Sequence, residues 1–271
     1  MIYMQNLRGI GKMEKKKFEI KPVKVERNEE VAENTFLISF LPLEDLSLEV
    51  KPFNFFMVWI PRIDFIPLSV SDYDGNSLTF LYKIKGNGTK ALSLKKKNEI
   101  LGIMGPLGKE FFFKNGEKIL VVAGGIGIAP IPYFVKFSKG SEIDLVWGVK
   151  KGSELFEVTK IYGKMNNLKN FIIYTEDCSY GKCGKALDAL REIRLNEYNR
   201  ILSVGPEVMM KNFCNLCNKK NDCYVALENL TKCGMGICGS CYIKGTTKLM
   251  CSDGPVFECS EVKYHFESII A

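Results

Sequence analysis

The stretch Lys118-Ile119-Leu120-Val121-Val122-Ala123-Gly124-Gly125-Ile126-Gly127-Ile128-Ala129-Pro130 decides the architecture. Residues 118–123 read as a strand buried on both faces, since an apolar run without polar alternation has no side to offer water. Gly124-Gly125-Ile126-Gly127 is a tight turn. Residues 129–138 then read as a helix, with Pro130 and Pro132 in the first turn, where a missing N–H is tolerated. The same grammar continues downstream: strand-like runs at 143–148, 171–175 and 200–204 alternate with helix-like stretches at 153–165 and 185–195. Alternation of this kind predicts an α/β domain over residues 115–222, a parallel sheet covered on both faces.

Upstream, over 18–114, the pattern is different. Apolar and β-branched runs at 35–40, 55–60, 77–84 and 99–104 are separated by Pro52, Pro61, Asp74-Gly75-Asn76 and Gly86-Asn87-Gly88. Short strands at regular spacing predict a small antiparallel β-barrel. Downstream, residues 223–271 hold six of the ten cysteines. A unit so short buries little core without help, so a bound metal cluster is the expected staple.

Composition narrows the chemistry. Of 271 residues, 46% are hydrophobic and 25% charged, which is the balance of a folded domain protein. The single histidine, His265, excludes histidine-rich zinc sites and leaves a Ser-His-Asp triad one candidate base. Hard chemistry should therefore come from cysteines or from a bound cofactor. The net charge of +7 is concentrated at the start, with eight basic and three acidic residues in positions 1–27 against 30 and 28 over the rest. A basic N-terminal extension (1–17) on a nearly neutral body is not the surface of a nucleic-acid binder. No run of 18 apolar residues is present, so no membrane span is expected. The first residues lack a secretory leader's apolar core. A cytoplasmic location follows as the expectation, with the cysteines as thiols rather than five disulfides.

Cys233-Gly-Met-Gly-Ile-Cys238-Gly-Ser-Cys241, with Cys251 following after nine intervening residues, has the C-x4-C-x2-C…C spacing of plant-type 2Fe-2S proteins. Three thiolates on one loop must converge on a small cluster, and Gly234, Gly236 and Gly239 allow the backbone to curl around it. The competing reading is a four-cysteine zinc site, which usually pairs two similar C-x2-4-C hooks. Cys214-Asn-Leu-Cys217 alone could be a redox pair or half a zinc site; its helix-like context favours buried free thiols acting as small hydrophobes. Cys178 and Cys183 flank Tyr180-Gly181 without an obvious partner, and Cys223 and Cys259 read as strand or core positions.

Other loops gain meaning together. Ile66-Pro67-Leu68-Ser69, Leu81-Tyr82-Lys83 and Gly86-Asn87-Gly88-Thr89 resemble the flavin-binding strand and turn of the ferredoxin-NADP reductase superfamily. Gly124-Gly125-Ile126-Gly127-Ile128-Ala129-Pro130 and Gly205-Pro206-Glu207 resemble that superfamily's nicotinamide-nucleotide turns. The resemblance implies FAD on Pro67, Leu68, Ser69, Leu81, Tyr82, Lys83, Gly88 and Thr89, and NAD(H) on Gly124, Gly125, Gly127, Pro130, Gly205 and Pro206. Two departures stand out. Ile66 occupies the place of the arginine that usually faces the flavin pyrophosphate, and Val204 that of a cysteine. Loss of a bidentate phosphate partner weakens binding, with Lys83 and Arg62 as the cations that could compensate.

With Met104-Gly105-Pro106-Leu107-Gly108, Ser179-Tyr180-Gly181, Leu227-Glu228 and the tail Cys251-Ser252-Asp253-Gly254-Pro255-Val256-Phe257, the chain over about 18–262 resembles the electron-transfer subunits of dihydroorotate dehydrogenase type B. That resemblance implies a 2Fe-2S cluster on Cys233, Cys238, Cys241 and Cys251. It also implies an FMN-containing catalytic partner, assembled as a heterotetramer, whose electrons pass through cluster and FAD to NAD+ in pyrimidine synthesis. Subunits of NADH-dependent ferredoxin-NADP reductase, sulfide dehydrogenase and sulfhydrogenase share the same three units. Some of that group use aspartate where this chain has Cys233. A non-catalytic regulator that has lost FAD or NAD binding is the reading that Ile66 and Val204 keep open.

Overall fold

The computed structural model describes residues 18–44, 48–217 and 222–267. The basic extension expected over 1–17 lies outside the described residues. Strands β1 (Lys21–Ala32), β2 (Thr35–Pro42), β3 (Phe55–Ile60), β4 (Asp64–Tyr73), β5 (Leu78–Lys83) and β6 (Ile100–Leu107) close into an antiparallel barrel of order β1-β2-β5-β4-β3-β6. Val25, Ile38, Phe40, Phe56 and Phe80 fill it, each fully buried. Burying one such side chain stabilises by roughly 1.5–3 kcal/mol. The turn expected at Gly86-Asn87-Gly88 instead opens helix α1 (Asn87–Ser93). The Thr89 hydroxyl accepts from the N–H groups of Lys85 (2.9 Å) and Gly86 (3.1 Å), satisfying donors at the start of the helix.

Beyond the barrel, β7 (Lys118–Gly124), β8 (Glu142–Val149), β9 (Leu168–Thr175), β10 (Lys182–Cys183), β11 (Arg200–Val204) and β12 (Asp222–Ala226) form a parallel sheet. One antiparallel edge strand, β13 (Val256–Glu258), completes the order β10-β9-β8-β7-β11-β12-β13. The division expected at Cys223 falls one residue into β12, and β13 returns to pair with that strand. Helices α2 (Ile131–Phe137), α3 (Val158–Tyr162) and α4 (Glu207–Leu216) accompany the sheet, while α5 (Met250–Asp253) and α6 (Lys263–Glu267) belong to the last segment.

The helices are shorter than their periodicity predicts. Instead of one helix over 153–165 there is a 3-10 turn at Gly152–Glu154, followed only later by α3. Contacts with neighbours explain the break. The Gly152 N–H donates to Ser179 Oγ (2.8 Å), the Ser153 carbonyl accepts from Glu33 N–H (3.1 Å), and Glu154 pairs with Lys83 at 3.0 Å. The stretch 185–195 likewise holds a 3-10 turn, Ala186–Arg191, in place of an α-helix. Ala186 comes so close to Gly148 that a Cβ there would lie 2.7 Å from its methyl group.

Barrel and sheet share one apolar seam. Phe53 packs on Phe134 (ring centroids 5.2 Å apart) and edge-on to Phe111 (5.8 Å). Polar ties fix the register: Ser71 Oγ donates to the Ala129 carbonyl (2.6 Å), the Tyr133 hydroxyl to the Val50 carbonyl (2.9 Å), and Lys136 pairs with Asp72 at 2.6 Å.

The expectation of ten thiols is corrected. Six cysteines are joined in pairs: Cys178 with Cys183, Cys214 with Cys259, and Cys217 with Cys223. Cys214 and Cys217 are therefore not isolated fillers, and Cys178 and Cys183 are each other's partners across the Tyr180-Gly181 turn. The pairs arise where the turn doubles back and where α4 lies over β12, proximities that no local spacing encodes.

A cleft joined to a cysteine loop

A cleft of about 420 Å³ opens between the barrel, the sheet and the last segment. The barrel contributes Pro67, Leu68 and Ser69 from β4, Leu81, Tyr82 and Lys83 from β5, and Thr89 from α1. Pro130 and Val204 come from the ends of the α/β loops, and Leu227, Glu228, Asn229, Leu230, Met250 and Pro255 from the last segment. The structure thus brings eight of the expected flavin and nucleotide residues to one wall. Phe53, Phe55 and Met250 were not singled out from sequence, because each reads there as ordinary core.

Gly88, Gly124, Gly125, Gly127, Gly205 and Pro206 do not line this cleft. Gly88 is buried, and a Cβ on it would lie 2.5 Å from Asp64 and 2.8 Å from Ile66. The others sit where β7 and β11 end side by side. From β7 the chain builds outward to β8, β9 and β10, then crosses back to β11 on its other side. Crevices at such reversals, at the carboxyl ends of parallel strands, are where nucleotides bind in open α/β sheets. A Cβ on Gly127 would sit 2.3 Å from the Val204 carbonyl oxygen, so only glycine lets the two loops meet. The Trp147 indole N–H donates to the Gly125 carbonyl (2.9 Å) and holds the turn from below.

The cations are already engaged. Lys83 Nζ lies 3.0 Å from Glu154, and Lys85 Nζ lies 3.5 Å from Glu228. The Thr89 hydroxyl, expected among the flavin residues, donates to the Gly86 carbonyl at 3.1 Å. Burial raises the Tyr82 phenol well above its ordinary pKa, although its hydroxyl donates to Asn28 Oδ1 at 3.1 Å, so it stays neutral beside a ligand.

The cysteine loop lies against the far side of the same wall. Gly234, Gly236 and Gly239 all have positive φ, between 67° and 74°, and turn the chain around Cys233, Cys238 and Cys241. Gly234 is pressed on the barrel, where a Cβ would lie 2.7 Å from Leu107. Cys251 is the second residue of α5, and its N–H approaches Cys241 Sγ at 3.5 Å, while the Met235 and Cys238 N–H groups approach Cys233 Sγ at 3.3 and 3.5 Å. Hydrogen bonding by Ser240 first, then by Cys233, lowers the Cys238 thiol to about 6. Burial first, then Cys241, raises Cys251 to about 12. Four free thiols with inward-pointing amides are a donor set suited to an iron-sulfur cluster, because coordination deprotonates even a buried thiol. His265, the one candidate base, is buried and pairs through Nε2 with Glu207 at 2.8 Å, tying α6 to α4.

Residues 228–263 match the family model for the iron-sulfur cluster binding domain of dihydroorotate dehydrogenase B. The electron transfer subunit of dihydroorotate dehydrogenase B (NAD(+)) from Clostridium acetobutylicum is 34% identical over 221 residues, 79% of this chain and 87% of its own. That of Caldanaerobacter subterraneus subsp. tengcongensis is 34% identical over 205 residues, covering 73% and 80%. The chain belongs to this family of electron-transfer subunits. It is an oxidoreductase component whose cofactors are a 2Fe-2S cluster, FAD and NAD(H). Among solved structures, an NADH-dependent reduced ferredoxin-NADP oxidoreductase superposes with a TM-score of 0.78 at 27% identity, covering 89% of this chain and 90% of that one. A ferredoxin reductase of carbazole 1,9a-dioxygenase (TM-score 0.65, 16% identity, covering 73% and 64%) shares the fold. No helix among the described residues is long and apolar enough to cross a membrane.

Proposed function

We propose that this subunit takes electrons from an FMN-containing, dihydroorotate-oxidising partner in the cytoplasm and delivers them to NAD+, the two chains forming a heterotetramer. The cluster supplies one-electron transfer, and FAD supplies the exchange between single electrons and the two-electron hydride. The residues divide the work. Cys233, Cys238, Cys241 and Cys251 hold the cluster; Pro67, Leu68, Ser69, Leu81, Tyr82, Lys83, Gly88 and Thr89 hold or support FAD; the paired glycine loops at Gly124, Gly125, Gly127, Pro130, Gly205 and Pro206 receive the nucleotide. On this reading the units run 18–114, 115–222 and 223–271, with β13 tying the third to the second.

The observation that carries the reading is the place of Met250. It lines the cleft, adjoins Cys251 in sequence, and donates its N–H to the Cys241 carbonyl at 2.9 Å. One residue therefore separates the cluster loop from the flavin cleft. On the outer side, Ile237, adjoining the exposed Cys238, is 78% exposed, an apolar side chain that suits a docked protein. Co-purification and turnover test the proposal: an FMN-containing partner that gives dihydroorotate-dependent NAD+ reduction supports it, and a partner that turns over only ferredoxin overturns it.

The second reading, a subunit of a ferredoxin-NADP reductase, is favoured by the structural likeness to the NADH-dependent oxidoreductase. Cys233, where some of that group use aspartate, and the Asp253-Gly254-Pro255-Val256-Phe257 tail favour the first.

A further inference from the structure

The cysteines that the cluster does not use are not scattered. Cys214 lies in the last turn of α4, and Cys217 follows its last residue with extended backbone. Cys223 lies on β12, and the Cys259 N–H donates to its carbonyl at 2.9 Å. The β12–β13 register, with Tyr224 opposite Glu258, places Cys223 opposite Cys259, and directly opposed residues share a sheet face. Cys214 is joined to Cys259, just past β13, and Cys217, just past α4, to Cys223 on β12, with Cα separations of 5.4 and 6.4 Å. The four sulfur-bearing residues thus form a closed ring: along the end of α4, across to the strands, and back. All four line one cavity of about 510 Å³, together with Lys211, Lys263, Asp222, Glu258 and Glu267.

A family member that keeps four cysteines ready for an iron-sulfur cluster works where thiols stay reduced, and the same conditions reduce this ring. That step rests on the cluster assignment above; the ring geometry does not. Reducing both bonds consumes four electrons and four protons from a cellular thiol reductant and leaves four thiols facing one cavity. We propose that these thiols, Cys214, Cys217, Cys223 and Cys259, are a second metal site that binds a single Zn2+ as a tetrathiolate, each thiol releasing its proton on binding. A C-x2-C hook meeting two further cysteines is a set that tetrahedral zinc favours, with Zn–S near ~2.3 Å. The bound ion staples α4 of the nucleotide-binding unit to the start of β12 and the end of β13, where the small cysteine-rich unit joins the sheet.

Metal analysis of the full chain, purified with thiol reductant and without added zinc, tests this. The site predicts about one zinc per chain beside the cluster iron. In Cys214→Ser/Cys217→Ser the zinc falls at least tenfold while the iron is unchanged. Should that variant fail to fold, the native chain still decides: titration with an organomercurial in the presence of a chromophoric chelator releases about one zinc per chain as four thiols react. A zinc-free chain whose four cysteines resist alkylation after denaturation is disulfide-linked and overturns the proposal. Loss of iron rather than zinc from the double variant overturns it as well, whereas loss of the cluster iron from the native chain would instead contradict the reading of Cys233, Cys238, Cys241 and Cys251.

Discussion

The Met250 N–H donates to the carbonyl of Cys241 at 2.9 Å, while the Met250 side chain lines the flavin cleft and its own carbonyl carbon is bonded to Cys251. Met250 is 4% exposed, so its side chain is part of the packing that separates the two compartments. Met250→Ala should destabilise the chain by about 2–5 kcal/mol through the cavity it leaves, and Met250→Leu by less than about 1.5 kcal/mol. In stopped-flow reduction by NADH, Met250→Ala should leave flavin bleaching near the native rate and slow reduction of the cluster. Equal slowing of both phases would place Met250 in the flavin site alone.

Cys238 is the exposed member of the four-cysteine set, so its removal disturbs little packing. Cys238→Ser should lose the iron-sulfur absorption and the iron while retaining FAD. Intact cluster spectra in this variant would show that a different residue completes the set.

Gly127 allows the loops after β7 and β11 to touch. Gly127→Ala drives a methyl group into the Val204 carbonyl, a backbone atom that cannot rotate away, at a cost on the order of 1–3 kcal/mol. Reduction by NADH should require much higher nucleotide concentrations, while the cluster and FAD contents stay native. An unchanged KM for NADH would remove these loops from the nucleotide site.

The flavin wall lacks the usual arginine, and of its two lysines Lys83 is held by Glu154. Glu154→Gln frees that charge for the pyrophosphate and removes a repelling carboxylate. FAD affinity should rise about tenfold, equivalent to roughly 1.4 kcal/mol, as read by equilibrium dialysis. Ile66→Arg should tighten FAD further by adding a charge-assisted partner, read in the same dialysis. Weaker FAD in Glu154→Gln would mean that the ion pair itself shapes the site.

Much of this was legible from sequence because the deciding signals are local. Residues 55–60 are a continuous apolar run and 200–204 carry Ile201, Leu202 and Val204, and both form the strands expected there. The C-x4-C-x2-C loop carries its own glycines. β1 was not legible: only Val23 and Val25 of its twelve residues are buried, and the charged remainder, with irregular pairing near Arg27 and Ala32, hides the alternation. The helix expected over 153–165 failed because Glu33, Lys83 and Ser179 hold its first residues from outside. The pairing of Cys214 with Cys259 was invisible for a related reason, since it depends on how α4 lies across a strand 45 residues away in sequence.

The central claim is that electrons from the partner reach NAD+ only by way of the four-cysteine loop. Dihydroorotate-dependent NAD+ reduction by the reconstituted complex, with the native chain and with Cys238→Ser side by side, tests it most directly. The account predicts turnover with the native chain and a loss of at least a hundredfold with the variant, which still holds FAD and is still reduced by NADH. Equal turnover with both chains would contradict it.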